Sequence, residues 1–292
     1  MTKTTTRRVI LVDLSDTHAG LRLALMSPDV QLHDEDQEGN LVTYSPELTA
    51  SQHHLWNVYL ESINFTKNLA GKDEVIVIHN GDLTQGMKYP SALVSSRVSD
   101  QVAIAVENLS PWLELPNVTH LRISVGTGAH NLTEGTTELL AAQVLKERYP
   151  KKTIEVLYHG LLFVNDVPVD YAHHGPYPGS RAWLRGNVAR YYLKSLMMDA
   201  VAAGTPIPKL VLRAHYHSPI QVTENMTIAG EFVESTLLIS PSFSMLDDHA
   251  VQATRSKDSI TNGLYLVELL PRTVNRIIPV FDTVDIRTQE TL

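Results

Sequence analysis

Five stretches of this 292-residue chain put aspartate or histidine just beyond a hydrophobic run. VILVDLS leads into Asp16-Thr17-His18, EVIVIHNG into Asp82, RISVGTGA into His130, VPVDYA into His173-His174, and KLVLRA into His215-Tyr216-His217. An Asp-x-His just past a strand can aim a carboxylate and an imidazole at one ion, although alone it is also an ordinary loop. Gly81 lacks a side chain and so permits a sharp turn in front of Asp82. In an extended His-x-His both rings fall on one side, because side-chain direction repeats every two residues. Such a pair makes a divalent-ion clamp. Side chains at the carboxyl ends of strands in an α/β fold converge on one crevice. Mixed imidazole and carboxylate donors suit first-row divalent metals, and the absence of cysteine disfavours a structural zinc site. The donors outnumber the needs of one tetrahedral ion, whereas two ions sharing a bridging carboxylate would use them all.

The elements that must position these residues follow from periodicity. Strand-like runs occupy 8–13, 74–79, 119–125, 154–158, 161–164, 167–172, 209–214, 236–240 and 263–270. Helical spacing marks 51–70, 93–109, 134–148 and 181–203. Strands alternate with helices in the first half and dominate the second, which predicts a layered α/β sandwich with too many strands for one small sheet. With no repeat and no linker, residues 1–292 read as one domain. Residues 31–50 read as an irregular insertion. Their DEDQEGN resembles the opening of a calcium loop, but Ser45 stands where such a loop needs its twelfth-position Glu, so a solvated acidic loop is expected.

Bulk composition narrows the function classes. A hydrophobic fraction of 43% supports a sizeable core. The formal net charge of −8 argues against non-specific duplex binding, which depends on many Lys and Arg neutralising phosphates. No stretch approaches the roughly 20 apolar residues of a membrane span, and the basic N-terminus lacks a signal-peptide pattern. A cytoplasmic protein with no membrane partner is the expectation, and oligomeric state is not readable.

In their order along the chain, these motifs resemble the calcineurin-like metallophosphoesterase superfamily, in a divergent, phage-like form. That family's pattern is Asp-x-His, Gly-Asp, Gly-Asn-His-Asp/Glu, a later His, and Gly-His-x-His. Here it reads D16-T-H18, G81-D82, G126-T-G-A-H130, A-H173-H174-G and A214-H215-Y-H217, across roughly residues 10 to 220. The resemblance implies a four-layer α-β-β-α sandwich of two mixed β-sheets with the site at one edge. It implies that Asp16, His18 and His217 hold one divalent ion, that Asp82 bridges, and that His173 and His215 hold the second. His174 competes with His173, and whichever is not the ligand would face substrate. Mn²⁺ is the leading ion; Fe, Zn²⁺ and Ni²⁺ suit the same ligands.

The third motif departs from the family. Thr127 stands where the family has a ligating Asn, and His130 comes two positions late. Three readings stay open: His130 still serves as the family's acid histidine, with Thr127 or water in the Asn position; Asn131 swings in as ligand; or the second ion is weakly held. The implied activity is phosphoester hydrolysis through a metal-activated hydroxide, with His130 protonating the leaving group. Arg181 and Arg185, with Arg190 and Lys194 repeating the spacing, read either as a solvated helix face or as a phosphate clamp. Tyr177 or Trp183 could stack on a base. These features favour nucleotide or single-stranded nucleic-acid phosphodiesters as substrate. The alternatives are a phosphomonoesterase or protein phosphatase, and a non-catalytic metal-binding scaffold of the same fold.

Overall fold

The hydrophobic runs assemble into two mixed sheets stacked face to face. The computed structural model describes residues 7–130, 135–178, 184–228, 230–246, 258–288 and 290. In chain order the elements are β1 (Val9–Leu14), β2 (Leu32–Glu35), β3 (Leu41–Tyr44), α1 (Ala50–Ala70), β4 (Glu74–His79), α2 (Val98–Leu113), β5 (Val118–Ser124), α3 (Thr136–Arg148) and β6 (Thr153–Leu157). They continue with β7 (His159–Val164), β8 (Val167–Ala172), α4 (Asn187–Ala203), β9 (Leu210–Arg213), β10 (Ile220–Ile228), β11 (Glu231–Ile239), β12 (Ser259–Leu270) and β13 (Thr273–Asp285). The first sheet has the order β13-β12-β1-β4-β5-β6 and the second β10-β11-β9-β8-β7. Strands β1, β4, β5 and β6 run parallel, as do β8, β9 and β11, so the carboxyl ends of the parallel strands gather their loops.

Alternation along β1 shows how the layers form. Val9 and Leu11 pack between the sheets against Val169, Tyr171, Leu210 and Leu212, while Ile10, Val12 and Leu14 face α1, α2 and α3. A strand covered on both faces must be hydrophobic throughout, hence the unbroken run VILV. On the far side, Ala189, Leu193 and Met197 of α4 pack on Val211, Leu237 and Ile239. The result is a layered α/β sandwich, as periodicity predicts, in the α-β-β-α order that the resemblance implies. Burying each such aliphatic side chain contributes roughly 1.5–3 kcal/mol, which anchors the strand ends that carry the polar loops.

Residues 31–50 depart from the expectation of an irregular insertion. Leu32 to Tyr44 form an antiparallel β2–β3 hairpin. The buried Leu32 ties it to the core, and the backbone N–H of His33 donates to Asp100. At its tip Asp36 Oδ1 accepts from the N–H groups of Glu38 (2.9 Å) and Asn40 (2.8 Å), so this carboxylate closes a turn. Strands β10 and β13 were also not evident from sequence. Both are sheet-edge strands with polar or half-exposed alternation. Helix α1 opens with a capping box between Thr49 and Gln52. Among the described residues no helix is long and apolar enough to cross a membrane.

Candidate metal centre

At the shared edge the backbone leaves each strand in a sharp turn. Eight described non-glycine residues have positive φ, and five of them are Asp16 (51°), His18 (43°), Asp82 (49°), His215 (77°) and His217 (49°). Left-handed backbone costs a non-glycine residue roughly 1–2 kcal/mol, and such strain persists only where the surroundings enforce it. Backbone hydrogen bonds do so here: Asp16 N–H donates to Gly81 O (3.0 Å), His18 N–H to Asp82 O (3.0 Å) and Ala214 N–H to His173 O (2.9 Å). Two glycines make the approach possible. A Cβ on Gly81 would lie 2.3 Å from His173 Nδ1, and one on Gly126 would lie 2.2 Å from both N and Oδ1 of Asp82.

The side chains gather in two clusters. In the first, His217 Nε2 is 3.1 Å from Asp16 Oδ1 and 3.2 Å from His18 Nε2, with His18 Nε2 3.8 Å from Asp16 Oδ1. In the second, Asp82 Oδ2 is 3.0 Å from His173 Nε2 and 3.9 Å from His215 Nδ1. The Thr127 hydroxyl stands among them, 3.1 Å from Asp82 Oδ2, 3.3 Å from His173 Nε2 and 3.1 Å from His215 Nδ1. Asp82 also groups with Asp16 and His173, and with His18 and His130, so it faces both clusters. His174, on the solvent side, groups with His173 and His215.

These separations fit a divalent ion in each cluster. Donors bonded to one ion at about 2.1 Å stand about 3.0 Å apart in an octahedron and about 3.4 Å apart in a tetrahedron. Most of the spacings above fall in or near that range, and the donors are nitrogen and oxygen only. Ring orientation agrees. A carbonyl can only accept, so the contact of His173 Nδ1 with Asn80 O (2.7 Å) makes Nδ1 the protonated nitrogen and leaves Nε2 toward Asp82. The same logic applies to His130, whose Nδ1–H donates to Gln85 O (2.9 Å) and whose Nε2 lies 4.0 Å from Asp82 Oδ2. Ser244 Oγ lies 3.3 Å from His217 Nδ1, and Ser15 Oγ donates to Asp16.

The electrostatics describe a centre that demands cations. Burial would raise the Asp16 carboxyl, but His217 and His18 hold it well below the usual carboxylate range. Asp82 is likewise held far down, against burial, by His173 and His215. Burial would lower His173, yet its hydrogen bond to Asp82 pushes it up to about 9. His18 is raised against burial by Asp16. His130 is lowered, first by burial and then by the charge on His18; His174 is lowered by burial and by His173. His173 and His18, both raised, are the imidazoles that balance the two buried carboxylates. Divalent ions would take over that role.

The structure thus brings Asp16, His18, Asp82, His130, His173, His174, His215 and His217 to one site. Arg181, Trp183 and Asn131 lie outside the described residues. Arg190 and Lys194 both pair with Glu224 of β10, at 3.0 and 3.2 Å, and Arg185 donates to Pro219 O. The carbonyls of Asn80 and Gln85 were not foreseeable, since any residue type supplies a carbonyl.

No family model matches the chain, and no curated protein does. Among solved structures, the fold is similar to that of an archaeal phosphodiesterase, with 10% identity and a TM-score of 0.39 over 89% of this chain and 99% of that one. It is also similar to that of a metallophosphoesterase from Sphaerobacter thermophilus, with 13% identity and a TM-score of 0.36 over 97% of this chain and 90% of that one.

Proposed function

We propose that the chain is a metal-dependent phosphoric ester hydrolase with two divalent ions, acting on phosphodiesters of the nucleotide or nucleic-acid class. The observation that carries the reading is the position of Asp82, a buried carboxylate facing both the Asp16–His18–His217 and the His173–His215 clusters. Two divalent ions held there would lower the pKa of water and neutralise charge developing on phosphoryl oxygens. Asp16, His18 and His217 are the proposed ligands of one ion and His173, His215 and Thr127 of the other, with Asp82 shared.

His130 stands beside these ligands, its ring in edge contact with His18 at 4.7 Å between centroids. Its Nδ1–H is committed to Gln85 O, so Nε2 is the atom free to exchange a proton with the ester. At rest burial holds this ring neutral more readily than a free imidazole. A phosphoester anion arriving beside it favours the protonated form, which then serves the leaving oxygen. His174, on the solvent side of His215, is the proposed contact to an outer phosphoryl oxygen. The preference for diesters is supported by a cavity of about 270 Å³ against His18, His130 and His217, whose wall includes Leu21, Tyr89 and Met245 and so suits an organic group.

The test is hydrolysis by chelator-stripped protein resupplied with Mn²⁺, then Zn²⁺, Fe or Ni²⁺. Turnover of bis(p-nitrophenyl) phosphate above that of p-nitrophenyl phosphate is expected. The reverse preference would make the protein a monoesterase. Metal binding without turnover of either ester would make it a scaffold.

A further inference from the structure

The proposed chemistry leaves unused a cation and an aromatic ring on the loop that follows Asp82. Lys88 Nζ lies 5.4 Å from the centroid of the Tyr89 ring, and both residues line the cavity shared with His18, His130 and His217. Among the described residues Lys88 is the one Lys or Arg on that cavity, and no described carboxylate pairs with it. Its loop is held in place. The buried Gln101 accepts from Gly86 N–H (2.9 Å) and donates back to Gly86 O (3.0 Å), and Thr84 Oγ1 donates to His130 O (2.9 Å). Gly86 packs so tightly on the 129–130 backbone that a Cβ there would lie 2.7 Å from Ala129 O. Residues 84–89 and the His130 loop are therefore one unit.

The other cluster carries aromatic rings as well. Tyr216 contacts His215 at 4.9 Å between centroids, and Tyr177 meets Tyr216 edge-on at 5.4 Å. A phosphomonoester has an organic group on one side of phosphorus only. Rings beside both clusters suit a phosphodiester with a flat base on each side, and an ammonium that no described carboxylate neutralises suits the next phosphate of a chain.

We infer that Lys88 and Tyr89 form a subsite for the nucleotide adjoining the scissile bond, with Tyr216 and Tyr177 serving its other side, so that the substrate is a short single-stranded polynucleotide. The inference rests on the hydrolase reading above. Tyr89 stacks on a base, a contact that tolerates any sequence. Lys88 neutralises one neighbouring phosphate, and a single cation on a chain of net charge −8 fits a short strand better than a duplex.

The experiment compares kcat/KM for a short single-stranded oligothymidylate with that for bis(p-nitrophenyl) phosphate, in the full chain loaded with Mn²⁺. In wild type both are cleaved. Lys88→Ala lowers the oligonucleotide-to-diester ratio about tenfold, mainly through KM, and flattens the salt dependence of oligonucleotide cleavage. Tyr89→Ala raises KM for the oligonucleotide, and Tyr89→Phe restores it. If wild type cleaves the small diester but not the oligonucleotide, if Lys88→Ala keeps the wild-type ratio, or if Tyr89→Ala leaves KM for the oligonucleotide unchanged, the inference is overturned while the hydrolase reading stands. No wild-type turnover of the small diester would overturn that reading, and this inference with it.

Discussion

Thr127 holds both carboxylate oxygens of Asp82: its N–H donates to Oδ1 at 2.5 Å and its hydroxyl to Oδ2 at 3.1 Å. The same hydroxyl lies within 3.3 Å of His173 Nε2 and His215 Nδ1. Thr127 thus sits among the donors of one cluster, where it can orient the Asp82 carboxylate that faces both.

Thr127→Val keeps the shape of the side chain and removes the hydroxyl. Besides standing among the donors, the hydroxyl orients Asp82, and loss of an orienting partner alone typically costs about 10–100-fold in metal affinity. The variant is expected to lose that much at the His173–His215 site, read by Mn²⁺ titration, with a smaller loss at the Asp16–His18–His217 site, which shares Asp82. Thr127→Asn, which restores an amide oxygen, is expected to bind both ions.

Gly126→Ala tests whether Asp82 is shared. The new Cβ meets Asp82 N and Oδ1 at 2.2 Å and must displace that loop. Elemental analysis of the folded variant should show both ions lost together. Retention of one ion at full occupancy would show that Asp82 serves a single site.

His130→Ala should lower kcat by about 10²–10⁴-fold, the usual worth of a positioned proton donor. Its metal content should match wild type. An equal fall in bound metal would move His130 from proton transfer into the ligand set.

Metal loading should release protons. In the metal-free protein His173 is raised from 6.5 to about 9, so at neutral pH it carries a proton that an ion must displace. Apparent affinity therefore climbs with pH and levels off above about 9. The corresponding contribution to metal-free stability has the opposite trend. It is fully present below 6.5 and is lost as pH rises through about 9. Calorimetric titration with Mn²⁺ in buffers of different ionisation enthalpy measures the protons released. A pH-independent affinity between 6 and 9 would contradict the assignment of His173 as ligand.

Much of the site was legible because the strands that carry it are buried on both faces. Such strands are written as unbroken hydrophobic runs, and Asp16, Asp82, His173 and His215 each follow within a few residues of the end of one. The choice between His173 and His174 could not be read from spacing. A carbonyl on Asn80, 93 positions away, fixes His173 inward while His174 faces solvent. Thr127 was visible as a departure, but its place among the donors depends on how the Gly126 turn folds against Asp82. The edge strands β10 and β13 and the β2–β3 hairpin are not marked by hydrophobic runs, because strands with an exposed face carry mixed, polar alternation.

Whether two ions share Asp82 is settled by electron paramagnetic resonance of chelator-stripped protein titrated with Mn²⁺. An exchange-coupled spectrum should develop toward two equivalents per chain and disappear in Asp82→Asn. Saturation at one equivalent, or two equivalents giving only the spectrum of isolated ions, would contradict a pair sharing Asp82.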